Sequence, residues 1–499
     1  MRIYIVIRIE FKFSENKNGK VKKDGGESDY DKYVIVSNIS SLSLGTMIGW
    51  QSPTIPQLQS ENPPVGNEPM TNEAASWLTG ITCITAALTS LIVGTIANRF
   101  GRKMTGYLMA FALCSNWLFT TIATQQTYLF IARFFAGISG GMALFLVPLY
   151  VSEIASDGIR GMLGSLLVFL LNGGILLGYI LGAVLSYRLF SITMLALPLL
   201  YIVLFPFVPE SPVYLLRRNR INEAARGGHK PTMEREMLRL QEEAKELDVA
   251  GRSTNKLSEM FRDQATIKGL FITLGLFGGQ QLAGIFVMIS YTETIFKISG
   301  SSLSPNSSAI IVGVIQVFGS CLSTTLVERV GRRPLLLTSC LGMGTCHFVL
   351  GVFCYLQTLG YDVSQFSWIS IVALSVYMIT YGLGMGPGPY VISSEILSRD
   401  VASSIVTLGM FTAWGMAFVV VKLFPSVLAL LGMHGCFFLF GFFCATTFAF
   451  IFILIPETKG QPRQVILDRL NGIFHALDNK QYVSSNEIAK RNAPLPELI

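Results

Sequence analysis

Apolar residues in this chain run in long unbroken stretches, not at every second or every third and fourth position. A run of 18 or more such residues is long enough to cross the hydrocarbon layer of a membrane as a helix. Twelve can be marked with soft edges: 33–56, 77–97, 104–123, 127–152, 163–185, 188–208, 268–293, 308–328, 335–357, 366–393, 402–424 and 432–455. They are numbered here as spans 1–12 in chain order. Span 1 is the most diluted, by Ser40, Ser41, Ser43 and Gln51. The longest polar segment, 209–267, is rich in Lys and Arg and separates spans 1–6 from spans 7–12. Helical spacing of Met233, Met237 and Leu240 predicts short surface helices within it, broken by Gly227-Gly228 and Pro231.

The pattern is duplicated. Asn98-Arg99-Phe100-Gly101-Arg102-Lys103 follows span 2, and Glu328-Arg329-Val330-Gly331-Arg332-Arg333 follows span 8. Pro148-Leu149-Tyr150-Val151-Ser152-Glu153 closes span 4, and Pro389-Tyr390-Val391-Ile392-Ser393-Ser394-Glu395 closes span 10. A basic turn and a Glu-ended helix repeated at this offset indicate one six-span unit used twice. Duplicated membrane halves around a central site are a common build for transporters. The expected fold is therefore all-α, with twelve transmembrane helices in two pseudo-symmetric six-helix bundles. The expected divisions are a 1–32 tail, a 33–208 bundle, a 209–267 linker, a 268–455 bundle and a 456–499 tail.

Composition agrees with a bilayer protein: 51% of residues are hydrophobic and only 14% charged, against about 25% charged in soluble domains. Mean hydropathy is +0.52. With the N-terminus in the cytoplasm, all of the 38 Lys and Arg except Arg133, Arg188, Lys297 and Lys422 fall on cytoplasmic segments. That is the positive-inside bias, and it favours an even number of spans with both termini cytoplasmic. The net charge of +7 thus reflects orientation, and no clustered basic face on a soluble domain suggests a nucleic-acid partner. The eight cysteines lie in or at the edges of spans, without Cys-x-x-Cys spacing. They predict neither a disulfide framework nor a metal centre, and no cofactor motif is present. Met1–Phe13 is apolar and basic but too short to span, and no cleavage site follows it. Residues 14–32 are polar and Lys-rich, as disordered tails are. Oligomeric state leaves no mark in the sequence.

Three groups of residues carry the candidate chemistry. Arg102, Arg160, Arg332 and Arg333 sit at the basic ends of helices, with Glu153, Glu328 and Glu395 at the same face; an Arg paired with a Glu across a helix interface can latch one state of a carrier. Gly386-Pro387-Gly388-Pro389 breaks span 10, since each Pro removes a donor and kinks the helix. Freed backbone groups survive at membrane depth only against protein or a cavity, so a hinge beside a water-filled path is expected. Gln280, Gln281, Gln316, Asn172, Tyr291, Tyr390 and Trp414 lie deep in spans. Amides donate and accept at once and rings offer flat apolar faces, which together suit a polyol. An amide in a span serves equally to bond a neighbouring helix. Two other motifs lead nowhere. Gly137-Ile138-Ser139-Gly140-Gly141 matches a hydrolase elbow but lies inside an apolar span, without the strand–turn–helix setting that chemistry needs. Asn306-Ser307-Ser308 is a sequon close to span 8.

The chain resembles a sugar porter of the major facilitator superfamily. The resemblance rests on Gly101-Arg102-Lys103, Arg133 with Gly137 and Gly141, Pro148–Glu153, Arg160-Gly161 and Pro209-Glu210-Ser211-Pro212. It continues through Gln280-Gln281-Leu282-Ala283-Gly284-Ile285, Glu328–Arg333, Gly386–Pro389 and Pro456-Glu457-Thr458-Lys459-Gly460. These occur in the family's order over about residues 33–460. Asn172 and Lys422 are similar to residues of insect facilitated trehalose transporters. The resemblance implies that Gln280, Gln281, Gln316 and Trp414 line a sugar site. It also exposes departures: Phe286, Val168, Ala413 and Tyr390 stand where relatives carry Asn, Gln, Asn and Trp. Each lost amide removes a hydroxyl partner, which opens the way to a wider site, a disaccharide or a non-sugar solute. Asn98 replaces an acidic residue of the first basic turn, so a looser latch is expected there. Gln51 stands where proton-coupled relatives carry Asp, and no carboxylate lies at mid-span. Buried carboxylates are costly and usually functional in membranes, so a facilitative plasma-membrane uniporter for a hexose or trehalose is expected, not an enzyme. A non-transporting sugar sensor is the alternative from another class, against which the short tails argue.

Overall fold

The computed structural model describes residues 27–154, 160–218, 220, 264–301, 303–397, 399–461 and 463–471; within these, 27–32, 160–165, 324–329, 399–400 and 464 are described by backbone alone. Every regular element among the described residues is helical. Span 1 is Glu27–Gly49 continued by Gln51–Leu58, span 2 Asn72–Phe100, span 3 Arg102–Ile122, span 4 Gln126–Ile154, span 5 Arg160–Val184 and span 6 Tyr187–Leu204. Span 7 comprises Gln264–Leu282, Ile285–Ser290 and Thr292–Ser299; span 8 is Pro305–Val330 and span 9 Arg332–Thr358. Span 10 is Trp368–Leu383 with Gly388–Ile396, and spans 11 and 12 share Arg399–Leu454. Short helices Pro212–Arg217 and Arg463–Leu470 follow spans 6 and 12. The surface helices expected around Met233–Leu240, and the 1–26 tail, lie outside the described residues.

Nine helical segments among the described residues are long and apolar enough to cross a membrane, the last of them, Val401–Leu454, holding two spans. Large apolar side chains face outward all round: Leu88, Phe111, Phe318, Phe442 and Ile453 are each more than half exposed. In water that would be a liability; against lipid tails it is neutral. The polar residues that dilute span 1 point the other way. Ser40, Ser41, Ser43 and Gln51 are all buried. Span 1 packs closely on span 5, where a Cβ on Gly45 would lie 2.0 Å from the Leu171 carbonyl oxygen and one on Gly174 would lie 2.2 Å from that of Leu42. Only glycine permits this approach, as small residues do in membrane helix pairs generally.

Two expected elements differ in form. Span 7, read as continuous over 268–293, breaks after Leu282, where Gly284 takes a left-handed φ of 84°. No proline marks that break, so periodicity passes over it. Between spans 11 and 12 no loop intervenes: helical geometry continues to Gly432 (φ 68°, ψ 176°), which alone turns the chain. Residues 425–431 are mostly apolar and carry no polar turn signal.

Candidate functional site

At the end of the bundle that carries the basic turns, each half is tied by the same constellation. Gly101 (φ 94°) and Gly331 (φ 115°) make left-handed turns into spans 3 and 9. The backbone N–H groups of Arg102 and Lys103 donate to the Glu210 carboxylate (2.9 and 3.1 Å), and those of Arg332 and Arg333 to that of Glu457 (3.1 and 3.2 Å). A carboxylate at a helix N-terminus satisfies orphan donors and complements the dipole. Arg102 then pairs with Glu153 through Nε (2.9 Å) and Nη2 (2.6 Å), and Arg332 with Glu395 through Nε (3.2 Å) and Nη2 (3.1 Å).

The looser first latch expected from Asn98 is not found. The Arg102–Glu153 pair is the more buried, at 3% and 9% exposure against 21% and 26% for Arg332–Glu395. Asn98 Oδ1 accepts a further bond from Arg102 (3.3 Å), so the amide supplies the acceptor an acid would have supplied. Arg333 stacks over Phe452 (5.5 Å) and donates to the Phe452 carbonyl (2.6 Å). The side chains of Arg160 and Glu328 lie outside the described residues. Sequence reasoning missed Glu210 and Glu457 as members of these clusters. The available signal was a third repeated pair, Pro209-Glu210 and Pro456-Glu457, each just after the last span of a half.

At the opposite end the halves bond each other directly. Tyr179 of span 5 donates to the Ile289 carbonyl (2.8 Å) and meets Thr292 (3.1 Å). Tyr291 meets Thr79 of span 2 (3.2 Å), and Ser52 accepts from the Glu293 N–H (3.0 Å). Lys422 donates to Ser76 (3.0 Å) with its ammonium 4.5 Å from the centre of the Trp77 ring. Tyr291, one of the sequence candidates, therefore works here as a cross-half contact.

At mid-depth the remaining candidates sort by what they touch. Gln316 donates to Asn172 across the halves (3.1 Å). Gln280, 3% exposed, donates to the carbonyls of Met385 (2.7 Å) and Gly386 (3.1 Å) at the break in span 10. Gln281 donates to the Gln280 oxygen (3.4 Å). Of the candidates' amide oxygens, Gln281 Oε1 and Gln316 Oε1 are buried without a partner. Trp414 stands edge-on to Phe286 (5.7 Å between centroids), and a Cβ on Gly140 of span 4 would lie 3.9 Å from its ring. It thus faces the other half and not lipid. Tyr390 packs edge-on against Phe277 (4.9 Å) and is 37% exposed. Arg133, 0% exposed, lies over the Trp50 ring (4.2 Å) and donates to Asn116 Oδ1 (2.9 Å) and the Met47 carbonyl (3.2 Å). The eight cysteines are all free.

This arrangement has relatives. Residues 28–466 match the family described as Sugar (and other) transporter. The facilitated trehalose transporter Tret1 of Anopheles gambiae is 30% identical over 442 residues, covering 87% of this chain and 55% of that protein; this chain spans little more than half of that relative's length. Tret1 of Apis mellifera ligustica is 30% identical over 443 residues, covering 87% of each. Among solved structures, the proton:xylose symporter XylE bound to 6-bromo-6-deoxy-D-glucose superposes with a TM-score of 0.71 at 23% identity, covering 89% of this chain and 99% of that one. The inward open conformation of XylE from E. coli gives 0.72 at 21% identity, covering 88% and 99%. With these motifs placed at the breaks, latches and mid-depth amides of a duplicated helical bundle among the described residues, this chain belongs to the Sugar (and other) transporter family.

Proposed function

We propose that this protein moves a neutral sugar, a hexose or trehalose, downhill across the plasma membrane by alternating access. Both termini lie in the cytoplasm, which makes the basic-turn end cytoplasmic and the Lys422 end exterior. The bundles 33–208 and 268–455 rock about a central solute. The observation that carries this reading is that two of the mid-depth candidates, Gln281 and Gln316, keep a buried amide oxygen without a protein partner, as Asn38 Oδ1 and Gln51 Oε1 of span 1 also do. A buried acceptor left unpaired is costly, and a solute that arrives with hydroxyl donors relieves it. An anion would meet acceptors and be repelled. Trp414 and Phe286 supply an apolar edge nearby, as pockets with few polar groups do. Phe286, in place of an amide, offers a ring face where a hydroxyl partner would stand, and hexose and trehalose both remain open as solutes.

Downhill movement follows from the charge inventory. Glu153, Glu293 and Glu395 all sit toward helix ends, and the span-1 residue Gln51 is buried and cannot titrate. A carrier that takes up protons needs a titratable group along its path; the two buried mid-span groups, Arg133 and His347, are engaged with protein instead, Arg133 with Asn116 and the Met47 carbonyl and His347 Nε2 with the Ala283 carbonyl. Closure of the exterior end by Tyr179, Tyr291 and Lys422, with the latches of the other end each contained within one half, describes one of the two states such a cycle requires.

Uptake of labelled trehalose and glucose into proteoliposomes, with and without an imposed proton gradient, tests the reading. Saturable equilibration that ignores the gradient is expected. Accumulation driven by the gradient refutes uniport; binding without flux identifies a sensor; no response to any sugar refutes the solute class.

A further inference from the structure

A groove of about 370 Å³ opens beside spans 2 and 4, at the end where the halves close on each other. Glu73, Ala74, Trp77 and Ile81 line it from span 2, one above the other at helical spacing, and Phe130 lines it from span 4. A rise of 1.5 Å per residue sets Glu73 and Ile81 about 12 Å apart along the helix. The groove thus runs from a polar rim to an apolar floor. Trp77 stands between them, and tryptophan marks the boundary of membrane and water. The groove is separate from the mid-depth amides: Trp77 is 42% exposed, whereas Gln280, Gln316 and Trp414 are buried. Its size is that of a small-molecule site.

The rim is acidic. Residues 51–98 hold Glu61, Glu68 and Glu73 and no Lys, Arg or Asp, and the 123–125 turn between spans 3 and 4 is uncharged. Glu73 is exposed and enters no ion pair among the described residues. From the other half, Phe418 of span 11 packs on Trp77 with 6.1 Å between centroids, and the Lys422 ammonium lies 4.5 Å over the same ring. The indole therefore serves two neighbours, as a wall of the groove and as a contact between the halves.

We propose that this groove holds the choline headgroup of an outer-leaflet phosphatidylcholine, and that the bound lipid steadies the closed end through Trp77. Choline carries a permanent positive charge and no N–H to donate, so ring faces and a carboxylate recognise it where hydrogen-bond acceptors do not. Glu73, Trp77 and Phe130 are such a set, and Ile81 continues the groove toward the depth of the acyl chains. An anionic headgroup meets the Glu73 carboxylate in a segment without a compensating cation. Opening this end parts span 2 from span 11, so Trp77 loses Phe418 and Lys422 and the groove loses a fixed wall. A lipid that binds the closed form better favours that form by its difference in affinity. The choice of leaflet rests on the orientation proposed above; the chemistry of the groove does not.

Native mass spectrometry of the full chain with equal amounts of phosphatidylcholine, phosphatidylethanolamine and phosphatidylglycerol of the same acyl chains reads the site. Phosphatidylcholine should be retained about fivefold more than phosphatidylglycerol, with phosphatidylethanolamine between them. Glu73→Gln, close in shape and at an exposed position, should bring the two extremes to within about twofold, and Glu73→Lys should reverse their order. Pulsed EPR between labels on exposed Asn62 and Tyr361, with Cys321 replaced, reads the coupling in nanodiscs without solute. The ratio of closed to open should be about threefold higher in phosphatidylcholine than in phosphatidylglycerol, and Glu73→Lys should abolish the difference. Equal retention of the three headgroups by the wild type means ordinary boundary lipid and overturns the proposal, as does an order that Glu73→Lys leaves intact. A closed fraction that is the same in both lipids, or a difference that survives Glu73→Lys, overturns the steadying of Trp77. Neither readout uses a sugar, so failure of the transport reading leaves this test standing.

Discussion

Lys422 offers the sharpest test of how the two halves hold together. Its ammonium donates to Ser76 at 3.0 Å and lies 4.5 Å over the Trp77 ring, and both partners belong to the other half. Lys422→Met keeps the apolar stem and removes the charge. A hydrogen bond from a charged donor contributes about 1.5–3 kcal/mol net, and a cation–π contact about 0.5–2 kcal/mol. Lys422 is only partly buried, so solvent screens both and a total near 1–2 kcal/mol is reasonable. That total belongs only to the state in which the Lys422 end is closed. Losing it shifts the balance toward the state open at that end by roughly 5- to 30-fold. Spin labels at exposed Glu61 and Tyr361, on loops of opposite halves at that end, report the separation directly by pulsed EPR in nanodiscs. The exposed Cys321 is replaced beforehand. The long-distance population should rise on Lys422→Met and rise less on Ser76→Ala. An unchanged distance distribution in both variants refutes the latch and leaves this end held by the remaining cross-half contacts of Tyr179, Tyr291 and Ser52.

Three further outcomes are expected. Gln281→Ala should weaken solute affinity by about 1–2 kcal/mol while surface delivery stays normal; normal flux per molecule with poor delivery would show the amide to be helix glue. Gly101→Ala places a side chain at a φ of 94° with its Cβ 2.3 Å from the Glu210 carboxylate, whereas the same change at Gly360 (φ 84°) meets open space. The backbone cost, about 1–2 kcal/mol, is common to both, so thermal stability in detergent should fall further for Gly101→Ala; equal losses would deny Glu210 its place at that turn. Glu153→Gln leaves Arg102 buried without a counter-charge and should cost about 3–5 kcal/mol. Glu395→Gln, at a more open pair, should cost nearer 1 kcal/mol; comparable melting curves for the two would contradict the burial difference.

What could be read without coordinates was whatever depends on transfer to lipid or on chain-local geometry. Twelve apolar runs dictate helices, because a segment in hydrocarbon must satisfy its own backbone. The basic turns mark one end of the bundle, and Gly386–Pro389 marks the bend in span 10, because proline and glycine act on their own residues. What the sequence left open was every choice of partner. Gln280 and Gln281 are adjacent and chemically identical, yet one is bonded to the backbone of span 10 and the other keeps a bare oxygen; their different helix faces, and a proline over a hundred residues away, decide that. Gln316 and Asn172 read as two ligands and stand as one cross-half bond. The break at Gly284 carries no proline, and its sign, a left-handed glycine preceded by the Ala283 carbonyl that Tyr377 and His347 meet, exists only once spans 9 and 10 are packed against span 7. Asn98 looked like a weakened latch because charge is visible in a sequence and burial is not. The low-dielectric setting of Arg102 and Glu153 is a property of the assembled bundle, and it makes the pair with the weaker motif the more enclosed one.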